Sequence, residues 1–387
     1  MDYSVSKRLQ QLPPYLFLEI DKAKRKARQE GRDIIDLGVG DPDTATPDFI
    51  IEALDKAVRD PANHRYALDQ GMGVFRQAIA KWYRRRFDVA LDPDSEVLPL
   101  IGSKEGIAHF PLAFINPGDV ALVPDPCYPP YKGGTIFAGG TVCLMPLLEK
   151  NNFLPDLKKI PKAALKKAKI IYLNYPNNPT GAVCDKAFYE EVVDFCRKNK
   201  LIAVSDLAYS EMAYDGYRPP SMLDVEGARD VCIEFHSLSK TYNMTGWRSG
   251  WACGNRQLIS GLAKVKSNID SGIFSAIQVA STKALESDDS HIKRMCAMYA
   301  ERRDILVNGL NSCGWQVKSP RATFYLWARV PKGATSIGFA STLLEKANIV
   351  ATPGVGFGAP GEGYIRFALT VGKDRMKEAV ERIKKVF

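Results

Sequence analysis

The chain reads as an α/β protein: a large unit built on a mostly parallel seven-stranded sheet, plus a smaller α+β unit. Three observations lead there. Short, almost wholly apolar runs alternate with longer amphipathic ones. The short runs lack the polar alternation of a half-exposed strand, as expected for strands covered on both faces. After about residue 286 the rhythm changes to one long charged helix followed by short strands and helices.

Taken in order, the expected strands are Val97–Ile101, Val120–Val123, Val142–Met145, Ile170–Asn174, Ile202–Ser205, Val231–Phe235 and Gly250–Cys253. Helical spacing of apolar residues marks Val74–Arg86, Lys104–Phe114, Lys186–Lys198 and one long helix over Arg256–Leu285. Beyond it come a helix over His291–Leu310, strands near Trp315–Lys318 and Thr323–Val330, and a helix over Ile337–Ala347. Two more strands and a terminal helix over Asp374–Val386 follow. The expected organisation is an N-terminal arm (1–45) joining the smaller unit, a large unit (46–286) and a small C-terminal unit (287–387). In a sheet of this kind ligands bind beyond the carboxyl ends of the strands, so chemistry is expected there.

Composition narrows the function classes. The 387 residues carry 53 Lys+Arg against 44 Asp+Glu, a formal charge of +9. Basic residues cluster at Lys22–Lys26, Arg84–Arg86 and Lys162–Lys169; in the first and third, mixed Ala and Leu fit solvated helix faces. Nucleic-acid binding is not expected. The eight cysteines are scattered singly without a Cys-x-x-Cys pair, so neither a disulfide framework nor a zinc ribbon is indicated. The four histidines lie far apart, and no metal site is expected. No apolar run approaches the roughly 18 residues of a membrane span, and the N-terminus shows no apolar signal core. The expected location is the cytoplasm.

Chemistry-bearing residues cluster just after strands. Ile101-Gly102-Ser103-Lys104-Glu105-Gly106 runs from strand through a glycine turn into a helix, whose free N–H groups suit a phosphate; a tight turn needs that glycine in any case. Asn174-Tyr175-Pro176-Asn177-Asn178-Pro179-Thr180-Gly181 forms an irregular loop that can aim amide groups into a crevice. Asp206 ends a buried strand, with Tyr209 three residues on; a carboxylate at that depth needs a donor partner, or it caps the next helix. His236-Ser237-Leu238-Ser239-Lys240-Thr241-Tyr242 sets a lysine among hydroxyls and aromatics, where it can lose its proton and act as a nucleophile. Arg248, eight residues later, has a planar fork suited to phosphate. Arg366 sits inside an apolar strand, where a carboxylate partner, from substrate or from the protein, would offset its burial.

In their order along the chain, these motifs resemble the class I/II aminotransferases, pyridoxal 5'-phosphate enzymes of fold-type I. The resemblance covers nearly the whole sequence and implies a set of roles. Lys240 would bond to the cofactor aldehyde and, once released by an incoming amino acid, move the Cα proton. Asp206 would pair with the ring nitrogen, Tyr209 and Asn178 with the ring oxygen, and Tyr128 would stack on the ring. Ser103, Lys104, Ser237, Ser239 and Arg248 would hold the phosphate. Arg366 and Asn178 would grip the substrate carboxylate, with Gly38 allowing close backbone approach and Tyr15 beside it. Tyr66 would reach the phosphate of a neighbouring subunit, which implies a homodimer with shared sites. The substrates implied are amino acids and 2-oxoacids. The likeness is narrowest to a branch whose donor carries a second, distal amino group, which Asp69 would meet. The alternatives are a general aspartate, alanine or aromatic aminotransferase, or a carbon–sulfur lyase on the same fold.

Overall fold

A computed structural model describes residues 3–12, 16–67 and 70–386. Its strands, in chain order, are β1 (Ile35–Asp36), β2 (Val97–Leu100), β3 (Val120–Asp125), β4 (Thr141–Pro146), β5 (Ala168–Leu173) and β6 (Ile202–Asp206). They continue as β7 (Cys232–Ser237), β8 (Gly250–Gly254), β9 (Tyr325–Arg329), β10 (Ile349–Val350), β11 (Thr352–Pro353) and β12 (Tyr364–Ala368). Seven of them form the main sheet in the order β2-β8-β7-β6-β5-β3-β4. Only β8 runs against its neighbours; β3, β4, β5, β6 and β7 pair in parallel. β2, β3, β7 and β8 are buried along their whole length, and β2, β3 and β8 are correspondingly rich in apolar residues.

The strand order reverses between β5 and β3, so the crossovers on the two sides diverge and leave a crevice at the carboxyl ends. Two apolar clusters fill the faces of this sheet, one around Trp82, Tyr83 and Trp251, the other around Phe110, Tyr131 and Phe235. A further core joins Ile35 and Leu37 to the helices Ser290–Ser312, Ser336–Ala347 and Lys373–Lys384 and to the sheet β11-β12-β9. Tyr209 and Met212, just past β6, are buried in that core, so the loop after β6 spans the two packing units. β1 pairs in parallel with β10, tying residues 35–36 to the same unit, whereas Arg8 near the start of the chain donates to Phe137 O beside the main sheet.

Two expectations need correction. The single helix over Arg256–Leu285 is two helices, Arg256–Lys266 and Ser275–Glu286. The break at 267–274 is polar: Asp270 accepts both the Lys266 ammonium (2.5 Å) and the Gly272 N–H, and Gly272 has φ +89°. Trp315–Lys318 is not a strand. Its backbone turns back on the preceding helix, Trp315 N–H donating to Leu310 O and Val317 N–H to Asn311 Oδ1. The helices Asp48–Val58 and Pro130–Phe137 were not anticipated. No helix among the described residues is long and apolar enough to cross a membrane.

Candidate active site

A cavity of about 480 Å³ opens at the carboxyl ends of β5, β6 and β7. Lys240 enters it from the one-turn helix Leu238–Thr241, started by Ser237, whose Oγ accepts the Ser239 N–H at 3.1 Å. Its ammonium donates to Gly40 O at 2.8 Å and lies 5.3 Å from the Phe324 ring centre. Burial pushes its pKa down to about 8; Asp41 opposes this, while Arg366 and Arg248 add to it. At neutral pH such an amine is far more available as a nucleophile than an exposed lysine.

Asp206 lines the same cavity as Lys240. Tyr131 donates to its Oδ2 at 2.7 Å and the Ala208 N–H reaches its Oδ1 at 3.4 Å. Burial raises its pKa to about 6 despite those bonds, so it lacks the cationic partner that would hold a buried carboxylate ionised. It caps no helix; the next residues form a turn. Tyr209 shares a 3.1 Å hydrogen bond with the Tyr325 hydroxyl. Tyr128 lines the rim, edge-on to Tyr131, which itself stacks on Tyr172.

The opposite lobe is a cradle for an anion. The helix Ser103–Phe114 starts at Gly102 with no side-chain cap, so its first N–H groups point outward. Gly102 has φ +74°, and a Cβ there would lie 2.2 Å from Arg248 Nη2. Arg248 is itself left-handed (φ +58°) and donates to Thr245 O at 2.7 Å, which aims its fork across the glycine. Ser103, Lys104, Ser237 and Ser239 line the same cavity. Hydroxyls, an uncapped helix start and a guanidinium form the donor set that a phosphate monoester takes. Asp206 lies in the same cavity for a ring nitrogen, so the residues present fit pyridoxal phosphate.

Arg366 lies beside the cavity on β12, paired with Trp327 of β9 and Thr352 of β11. Its Nη1 donates to Asn178 Oδ1 and its Nη2 to Gly38 O, both at 2.8 Å, and its fork lies over the Tyr325 and Phe357 rings. The 174–181 loop is knit rather than slack. Asn174 Nδ2 donates to Asp206 O, the Asn178 N–H to Asn174 Oδ1, and the Thr180 hydroxyl to Asn177 Oδ1. This fixes Asn178 between Arg366 and the cavity.

Ser103, Lys104, Tyr128, Asn178, Asp206, Tyr209, Ser237, Ser239, Lys240 and Arg248 therefore surround one cavity, with Gly38 and Arg366 at its edge. Tyr66 does not join them: it is 87% exposed and lines a separate surface groove. Tyr15 and Asp69 lie outside the described residues. Sequence reasoning missed Tyr131, Tyr325, Thr245 and Gly40. Tyr131 carries a usable signal, one helical turn beyond Tyr128, whereas Tyr325 comes from a distant strand and carries none. Gly40 is tightly placed, since a Cβ there would meet Tyr325 Oη at 2.0 Å. Gly40→Ala is expected to lower the melting temperature, the overpacking costing about 1–3 kcal/mol, and to displace the carbonyl that holds Lys240. Thermal melts and steady-state rates check both effects.

The family model for aminotransferase class I and II matches residues 32–383. The chain belongs to this family. Class I/II aminotransferases use pyridoxal phosphate, and so does this one. Among curated relatives, the LL-diaminopimelate aminotransferase of Syntrophobacter fumaroxidans is 56% identical over 100% of both chains. The LL-diaminopimelate aminotransferase of Desulforudis audaxviator is 54% identical over 99% of this chain and 98% of its own. Among solved structures, substrate-bound BacF from Bacillus subtilis superposes with a TM-score of 0.96 at 37% identity, covering 100% of this chain and 98% of that one. A probable N-succinyldiaminopimelate aminotransferase from Thermus thermophilus reaches 0.91 at 37% identity, covering 96% and 100%.

Proposed function

We propose that this aminotransferase exchanges the amino group between LL-diaminopimelate and 2-oxoglutarate, running in the cytoplasm from glutamate and tetrahydrodipicolinate toward LL-diaminopimelate. The full-length identity to relatives of that name carries the proposal. The site supports it. Lys104, Lys240 and Arg248 in the cavity, with Arg366 beside it, outnumber Asp41 and Asp206 and favour a phosphate together with a dicarboxylate substrate.

Bound in the cradle, pyridoxal phosphate supplies an electron-poor ring that acidifies the substrate Cα–H bond. Asp206, once it faces a protonated ring nitrogen, is held ionised and keeps that proton in place. Tyr209 donates its phenolic proton to the ring oxygen. Arg366 orients the α-carboxylate with a planar fork. Lys240, through the neutral fraction that its lowered pKa provides, would take the substrate Cα proton and pass it to the cofactor's aldehyde carbon. Tyr66 of a second copy reaches the phosphate. A homodimer is favoured by two adjoining grooves that share Lys264, one with exposed Tyr66, the other with exposed Leu112 and Ile269.

A side-by-side assay of amino donors with 2-oxoglutarate tests the substrate. LL-diaminopimelate is expected to outcompete aspartate, alanine and tyrosine in kcat/KM. Equal or better rates with aspartate would make this a general transaminase. Pyruvate and ammonia released from cystathionine, without amino transfer, would make it a lyase.

A further inference from the structure

His236 is buried completely, four residues before Lys240, and none of the chemistry above uses it. It lies on β7, where side chains alternate between the sheet faces. Ser237 lines the cavity, so His236 points to the opposite face. There its ring stacks on Trp251 (4.6 Å, 13°) and meets the edge of Trp82 at 4.9 Å. Its Nε2 shares a 2.8 Å hydrogen bond with Ser210 Oγ. Burial, with Arg86 nearby, keeps the imidazole neutral, its pKa lowered to about 3.

Ser210 follows Tyr209 directly. The pairing of β6 with β7 ends at Asp206–Phe235, and the Leu207 N–H donates to Phe235 O just beyond. Past that point the two chains part, one into the 207–210 turn, the other into the helix bearing Lys240. The His236–Ser210 bond crosses the gap. Two residues earlier on the same face of β7, Glu234 is fully buried and accepts from Tyr83, Ser205, Ser221 and the Met222 N–H. The outer side of the turn is held separately, by Arg86 on Glu211.

We propose that His236 is a positioning residue for the cofactor site: through Ser210 it locks the turn bearing Asp206 and Tyr209 to the strand that delivers Lys240. This rests on the reading that Lys240 and Tyr209 both face the cofactor. Neutral and walled by tryptophans, His236 neither touches the reacting atoms nor exchanges protons with solvent. It fixes the spacing between the amine and the phenol, and small misplacements of that kind are costly.

The test uses the full-length protein with His236→Phe, Ser210→Ala, their double variant and His236→Gln. Phenylalanine keeps the stack on Trp251 and loses the bond; glutamine reaches Ser210 with a donor. His236→Phe and Ser210→Ala are each expected to lower kcat about 10-fold or more and to leave the donor KM unchanged. Both should weaken binding of pyridoxal phosphate to the apoprotein. Both should also move the pH midpoint of the bound cofactor's colour change upward, since a looser Tyr209 supports the ionised ring oxygen less well. The double variant should be no worse than either single one, and His236→Gln should recover most of the loss.

A wild-type midpoint, cofactor affinity and kcat in His236→Phe and Ser210→Ala would overturn the proposal, even with a lowered melting temperature, because His236 would then serve packing alone. Additive losses in the double variant would overturn it as well. Should His236→Phe fail to fold, Ser210→Ala removes the same bond from the turn side and decides the matter. A wild-type protein whose bound cofactor shows no pH-dependent colour would instead bring down the Lys240–Tyr209 reading itself.

Discussion

Replacing Lys240 with alanine is expected to cut amino transfer by about 10⁴-fold or more, because one side chain both anchors the cofactor and moves the proton. The variant should still bind pyridoxal phosphate in the cradle, since Ser103, Ser237 and Arg248 are untouched, but borohydride should no longer fix the label to the chain. In the wild type the reduced label should map to the peptide containing residue 240. Full activity in the variant, or a label elsewhere, would refute the assignment. The pH dependence follows from the burial of the amine. With a pKa of about 8, roughly one molecule in ten carries the neutral amine at pH 7, against about one in 3,000 for an ordinary lysine. Capture of the cofactor by apoprotein should therefore accelerate as pH rises toward 8 and level off above it. Stopped-flow absorbance reads this directly; a rate still climbing tenfold per unit at pH 9.5 would contradict it.

The second large effect is expected at Asp206. Asp206→Asn keeps the size and the hydrogen bond from Tyr131 but removes the charge that a protonated ring nitrogen requires. The expected loss in kcat is about 10³-fold, the scale of removing one preorganised electrostatic contact from a dry site. The apoprotein should not suffer, because burial already lifts the Asp206 pKa to about 6. Between pH 4 and 6 the folded carboxyl holds its proton more tightly than the unfolded one. Its contribution to apoprotein stability is thus present at acid pH and is lost as pH rises through 6. The amide variant should flatten that part of the stability–pH curve. A variant with near-normal kcat would show that the ring nitrogen finds its partner elsewhere.

Much of the fold was legible because the strands advertise their burial: a segment covered on both faces, such as Ala121–Val123 or Ile170–Leu173, can be little else. The residues grouped around the cavity were legible for another reason. Asp206 and Arg366 within apolar strands, and Lys240 between two of them, are costly to bury, so their presence asks for a partner. Tyr325 and Gly40 gave no such signal. Both are ordinary residues whose meaning comes from the other, across nearly the whole chain. The break at 267–274 escaped notice because its ends keep helical spacing, and only the buried Lys266 between Glu105 and Asp270 shows what it does. The apparent strand at Trp315–Lys318 has strand-like residues but finds its hydrogen bonds on the preceding helix.

The one reversed strand, β8, has a consequence for assembly. Because β8 runs opposite to β7, the chain leaves the sheet at Ser237 and re-enters at Gly250 on the same edge. The nucleophilic amine and the phosphate-gripping fork therefore come from a single hairpin-like excursion, only a dozen residues long. Half of the chemistry is consequently sequence-local. It can form as soon as two neighbouring strands zip together, before the far ends of the polypeptide are brought in to close the pocket.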